Sequence, residues 1–306
     1  MQNTIVSPLS FDGVGLHSGK SARVTILPAP ADHGIVFYRV DQDADKNVIP
    51  ALWDMVDQTP LCTRLVNAQG VSITTVEHVM AALVGCGIHN ARIEVDSPEI
   101  PIFDGSSARF VRGILGRGVR ALGCPVKALR ILRPVKVQNG RAWACLTPHE
   151  TLLIEFRIEF EDRAIGTQNK LLNMSNGSFV RELCNSRTFC RKADIDQMHA
   201  NKLALGGSLE NAVVVDGARV LSPGGLRHRD EAVRHKMLDA LGDLGLAGAP
   251  VLGHYQGFCA GHALTNELLR GVFADPANYE RVDCDAEMAA YLPGAGVFGA
   301  EFPDVA

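Results

Sequence analysis

The chain has 306 residues, of which 46% are hydrophobic and 21% charged, and a net charge of −4. That balance is globular, carries no basic footprint for nucleic acid, and includes no apolar run of the roughly eighteen residues a membrane span requires. The opening MQNTIVSPLSFDGVGLHSGK has no charged segment followed by an apolar one, so no secretory signal is expected. Eight cysteines at irregular spacing, none in a C-x-x-C pair, predict reduced thiols and a cytoplasmic location, and argue against a structural zinc held by four cysteines.

Strand-like runs come first: ARVTILPAP, GIVFYRV and LCTRLV, separated by Pro, Gly and Asp turns. TTVEHVMAALVGCG reads as a helix stopped by glycine, ARIEVDSP as a strand, and SSARFVRGILGRG as a second helix. The pattern restarts after Gly123-Cys124-Pro125. ALRILRPVKVQNGRAWACLTP predicts a hairpin at Asn139-Gly140, and TLLIEFRIEF alternates like a half-buried strand. GSFVRELCNSRTF predicts a helix, RKADIDQMHANKLALGGS a short irregular one, and ENAVVVDGARVL a hairpin at Asp216-Gly217. The helix RDEAVRHKMLDALGDLGLAG, the strand VLGHYQGFCAGH and the helix HALTNELLRGVF precede a Pro-, Gly- and Asp-rich tail. Strands in blocks followed by helices predict two α+β domains, 1–123 and 124–306, rather than a continuously alternating parallel sheet.

Three places hold residues suited to chemistry. In RHKMLDALGDL, His235, Asp239 and Asp243 fall in one sector of the helical wheel, with Lys236 at its edge and Met237, Leu238, Leu241 and Leu244 opposite. The wheel alone favours an amphipathic helix with its polar stripe in water; the competing reading is a metal site, since side chains at i and i+4 bind one ion. In TTVEHVMAAL, Thr74 and Glu77 fit a capping box, and His78 fits a hydrogen-bonded histidine; the pattern is not H-E-x-x-H. His262, in FCAGHALTN, sits where strand meets helix. GVGLHSG and DGSS are Gly-rich without a P-loop pattern and read as turns.

GVGLHSGK, TVEHVMAAL, EIPIFDGSS, SRTF, LGGSLENAVVVD, RHKMLDALGDL and GHALTNELL occur in this order. Together they make the chain resemble the bacterial UDP-3-O-acyl-N-acetylglucosamine deacetylases, zinc amidases of lipid A synthesis, from about residue 3 to about residue 275. The resemblance implies two similar α+β domains with helices packed between two outer sheets, and a site between them. It implies one catalytic Zn2+ on His78, His235 and Asp239, with Glu77 as the base for the zinc-bound water. His262 is then the charged partner that stabilises the oxyanion, Asp243 its support, and Thr188 a donor to the tetrahedral oxygen. Lys236 is implied at the diphosphate and Phe160 against the nucleotide base. An insertion at 191–207 is implied to shape an acyl passage, with Ile195, Met198, Leu203 and Leu205 as liners. The expected partner is the UDP-linked acylated glucosamine, with no nucleic acid and no membrane span, and the chain is expected to act as a monomer.

The sequence departs from the family pattern at Cys190, where glycine commonly follows SRTF, and at Cys259, where lysine is common. It also has Glu161-Asp162-Arg163 where His-Pro is usual. These departures leave a related N-acyl sugar nucleotide open as the substrate. A catalytically dead binding protein on the same scaffold is a further alternative, against which Glu77, His78, His235, Asp239 and His262 all stand.

Overall fold

The computed structural model describes residues 1–57 and 61–297. Two β-sheets flank a layer of helices. The first sheet is five-stranded, in the order Leu9–Val14, Ser21–Pro28, Ala91–Val95, Ile35–Arg39, Val48–Pro50. Its strands are antiparallel except for Ile35–Arg39 beside Ala91–Val95. Alternation sets its facing: Val24 and Ile26 pair with Val95 and Ile93, and all four point inward and are fully buried.

The second sheet, of seven strands, repeats this order. The hairpin Val135–Asn139 and Ala142–Thr147 leads to Val251–Phe258, then in parallel to Leu152–Glu159, with Thr167–Asn173 at the edge. Lys127–Ile131 and Tyr279–Asp283 extend it on the other side. Tyr279–Asp283 lies inside the segment that composition marks as tail; the sequence YERVD alternates too briefly to declare itself, and its strand exists only through pairing with Lys127–Ile131. The helices α1 (Glu77–Gly85), α2 (Ala108–Arg117), α3 (Lys192–Ala200), α4 (Glu231–Leu244), α5 (His262–Phe273) and α6 (Ala286–Ala290) complete the fold. Apolar side chains from both sheets and from α1, α2, α4 and α5 join in one continuous core, as the expected sandwich requires.

Each half carries an insertion just before its central helix. In the first half, Val56–Asp57, Arg64–Val66 and Ser72–Thr74 form a three-stranded sheet. Residues 174–230 carry α3 and a second three-stranded sheet, Phe189–Arg191, Val213–Asp216 and Arg219–Val220. The helix expected over GSFVRELCNSRTF shrinks to one π turn, Phe179–Leu183. Its continuation is prevented by Arg187. The guanidinium donates to both oxygens of Glu231 at 2.9 and 3.1 Å, and the Arg187 backbone N–H donates to the same carboxylate at 3.0 Å, so SRTF is pinned to the start of α4 as extended chain.

Candidate active site and metal centre

The site forms where α1 crosses α4. Gly242 makes the crossing close: a Cβ there would overlap the carbonyl oxygen of Glu77, so the two backbones meet only with a side-chain-free residue. Glu77 and His78, the first residues of α1, thereby face His235, Asp239 and Asp243 on α4, and none of the five is more than 4% exposed. The polar stripe of α4 therefore points into the protein, not to water. The capping box does not form. No side chain caps α1; Thr74 Oγ1 donates to the Pro98 carbonyl, and Glu77 Oε2 accepts the Thr63 backbone N–H at 3.0 Å.

His78 Nε2 and His235 Nε2 lie 3.6 and 3.4 Å from Asp239 Oδ1, and the three ligand atoms all lie within 4.8 Å of one another. Donors placed about 2.0–2.2 Å from a tetrahedral ion stand roughly 3.3–3.6 Å apart. The surroundings prepare each donor. His235 Nδ1 lies 3.0 Å from the Ser186 carbonyl oxygen; a proton held there leaves the Nε2 lone pair turned to the centre. Burial pushes the His235 imidazole down to about 4, against the pull of Asp239, so the neutral ligand form prevails. Burial alone would raise the Asp239 carboxyl, but the positive charge around it, the Lys236 ammonium above all, outweighs burial and holds Asp239 well below the usual carboxylate range. Lys236 Nζ binds Asp239 Oδ2 at 2.7 Å, while Oδ1 is buried with no hydrogen-bond partner. A buried carboxylate oxygen without a donor is costly, and a cation between it and two imidazoles removes that cost. The two-nitrogen, one-oxygen set suits zinc.

His262 heads α5 from the other side. Its Nδ1 is 2.8 Å from Asp243 Oδ2, and its Nε2 is 3.7 Å from Glu77 Oε1 and 3.9 Å from Asp239 Oδ2. Burial works against its charge, but the Asp243 and Glu77 carboxylates overcome burial and lift the imidazole to about 9. Burial likewise pushes the Glu77 carboxyl up, opposed by His262 and His78. Thr63 ties the two sides together. Its N–H serves Glu77, and its hydroxyl donates to Asp243 Oδ1 at 2.6 Å.

Glu77, His78, His235, Asp239 and His262 line a cavity of about 290 Å³, which Thr188 also lines. His17, Leu61, Phe189, Lys236 and Gly261 form a wall common to this cavity and to a second one of about 1220 Å³. Phe160 lies on the larger cavity, edge-to-face with Phe189 at 5.4 Å, as do Cys190, Cys259, Met198 and Leu203. Two expected liners are not on that wall. Asp194, Gln197, Met198 and Asn201 share the face of α3 that meets the cavity, which turns Ile195 roughly 100° away, and Leu205 is 54% exposed. A further cavity of about 260 Å³ lies beyond Leu241 and Leu244, at the other end of α4.

Sequence reading missed Thr63, His17 and Glu99. Glu99, 1% exposed, accepts the His17 and Ser18 backbone N–H groups at 2.8 and 2.7 Å and the Thr75 hydroxyl at 3.0 Å. Only GVGLHSG hinted at this, through Gly15, where a Cβ would overlap the Glu99 carboxylate.

A carboxylate and an imidazolium 3.7 Å apart, beside a triad fit for a cation, form an arrangement suited to hydrolysis on an α+β scaffold. Comparison narrows this. The chain belongs to the UDP-3-O-acyl N-acetylglycosamine deacetylase family (LpxC), whose pattern it matches over residues 2–274. It is 44% identical to the UDP-3-O-acyl-N-acetylglucosamine deacetylase of Shewanella oneidensis over 303 residues, which cover 97% of this chain and 99% of that protein. The same figures hold for the deacetylase of Shewanella baltica. That of Shewanella frigidimarina is 44% identical over 300 residues, 96% of this chain and 98% of the relative.

Proposed function

We propose that the protein hydrolyses the N-acetyl group of UDP-3-O-acyl-N-acetylglucosamine, releasing acetate and leaving the free amine, the committed step of lipid A biosynthesis. The observation that carries this reading is the pairing of Glu77 and His262, 3.7 Å apart with opposite charges, beside the His78–His235–Asp239 triad. It agrees with the name borne by the Shewanella relatives.

An amide is a poor electrophile with a poor leaving group. A zinc ion held by His78, His235 and Asp239 supplies, when bound, Lewis acidity toward the carbonyl and toward water. Glu77, ionised and made more basic by burial, takes the proton of the attacking water. His262, cationic at neutral pH, offsets the charge growing on the carbonyl oxygen and gives its proton to the departing amine. Asp243 fixes the His262 ring through Nδ1. Thr188, on the same cavity, donates to the same oxygen. Lys236 stands on the wall common to both cavities, where it reaches the diphosphate, and Phe160 offers a face to the base.

The division at residues 123 and 124 into two domains belongs to this proposal, as does action as a monomer. We also propose a cytoplasmic location. Cys86, Cys124, Cys145, Cys184, Cys190, Cys259 and Cys284 are free thiols, and none of the helices among the described residues is long and apolar enough to cross a membrane. A deacetylase assay of the wild type and His235→Ala, with zinc quantified in both, tests the centre: the variant is expected to lose zinc and most activity, and a variant that keeps both overturns it. Equal turnover of UDP-N-acetylglucosamine with and without the 3-O-acyl chain overturns the substrate.

A further inference from the structure

The larger cavity, about 1220 Å³, exceeds the roughly 300–1,000 Å³ of ordinary small-ligand sites. One of its walls is unusually soft. No residue from 188 to 211 is buried, and α3 has no buried side chain at all. The insertion is fastened at its root, where Phe189 pairs with Val213 and Arg191 Nε donates to Asp162 Oδ2 at 2.5 Å. Asp162 Oδ1 in turn accepts the Gly217 N–H at 2.9 Å. Beyond the root, the chain runs free of the core until it meets the turn at residues 15–19.

There three hydrogen bonds join the tip to the other half of the molecule. The Ala204 N–H lies 3.3 Å from His17 Nδ1, the Leu205 N–H donates to the His17 carbonyl at 3.2 Å, and the Gly206 N–H donates to the Leu16 carbonyl at 2.9 Å. The two sides of this contact differ in stiffness. Residues 17 and 18 are held by the buried Glu99 carboxylate, whereas the tip is held, besides these bonds, by local turn bonds such as the Gly207 N–H on the Ala204 carbonyl at 3.0 Å and by the Asn211 amide on the Gly206 carbonyl at 2.9 Å, none of them to a buried side chain. A segment with few buried contacts is the part of a fold that opens at least cost. Met198, Asn201 and Leu203 on one side and His17 on the other line the cavity, so parting the contact opens it from above.

We propose that residues 192–207 are a strap latched at Gly206 onto the 15–19 turn, and that the closed latch sets the preference for the acylated substrate. This rests on the substrate reading above. The acyl chain enters while the latch is open, and closure completes the apolar wall around it. Apparent affinity for the chain therefore scales with the fraction of molecules able to close. An unacylated sugar nucleotide does not need that wall.

Gly206 gives a clean probe. Its φ is not in the left-handed region, so alanine suits the backbone, but a Cβ would overlap the Gly15 carbonyl oxygen. Gly206→Ala should speed amide exchange at 204–206 while leaving residues 17 and 18 protected and the melting temperature near that of the wild type. The ratio of kcat/KM for acylated over unacylated UDP-N-acetylglucosamine should fall about tenfold, with unacylated turnover unchanged. Asn211→Ala, which loosens the tip without steric intrusion, should lower it in the same direction and stands in if Gly206→Ala folds poorly. A ratio unchanged in both Gly206→Ala and Asn211→Ala overturns the latch alone. Exchange at 204–206 as slow in the wild type as in the core strands also overturns it. A wild type with no acyl preference overturns the substrate reading and the latch with it.

Discussion

Glu77 and His262 need opposite protonation states at the same time, and their surroundings arrange it. Activity should rise with pH as Glu77 loses its proton, at a value above the ordinary carboxylate range because burial raises it. It should fall as His262 loses its own, near 9. The expected pH–rate profile is a bell, and a flat profile between pH 5 and 10 would remove the acid–base pair. Asp243→Asn takes away the carboxylate that most strongly favours the imidazolium, so the falling limb should move to lower pH; an unmoved limb would leave Asp243 a purely structural residue. Glu77→Gln should lower kcat roughly 10²–10⁴-fold while bound zinc, measured by metal analysis, stays at the wild-type level. Much of this was legible in the sequence, but only in combination. The α4 wheel shows that His235, Asp239 and Asp243 share a side, yet polarity does not distinguish a side facing water from one facing a cleft. Thr63 was not legible at all: it serves Glu77 through a backbone N–H, which every residue but proline has.

Among the elements, α1 and α4 decide the geometry, and Gly242 decides how closely they approach. Gly242→Ala should destabilise the fold by about 1–3 kcal/mol, as overpacking does, read as a lower denaturant midpoint with an unchanged slope. It should also displace Glu77, whose carbonyl is the atom overlapped, so kcat should fall even where the variant is fully folded. The hairpin at Asn139-Gly140 and the helices α1, α2, α4 and α5 were readable, because each has the local punctuation or apolar period its type demands. The segment 179–191 was not. Its composition permits a helix, and only the Glu231 carboxylate, far along the chain, draws Arg187 out of one. Thr74 and Glu77 have the spacing of a cap, but a partner elsewhere claimed each side chain.

At the scale of the molecule, the proposed metal triad joins the two halves: His78 comes from the first, His235 and Asp239 from the second. An ion that binds only the folded chain stabilises it by RT ln(1 + [L]/Kd), about 4 kcal/mol at a thousandfold excess over Kd. Treatment with a chelator should therefore lower the melting temperature as well as abolish turnover, and zinc should restore both. A melting temperature indifferent to chelation would separate the triad from any metal. The two sheets place their strands in the same order, hairpin, central strand, parallel neighbour and edge, with α1 and α4 in matching positions. That likeness makes the unequal division of the triad informative. Two identical halves meeting about a symmetry axis can only supply a shared centre with even numbers of ligands. Three residues able to hold one ion, one from the first half and two from the second, require halves that share a plan but differ in sequence. Fusion in a single chain permits that inequality.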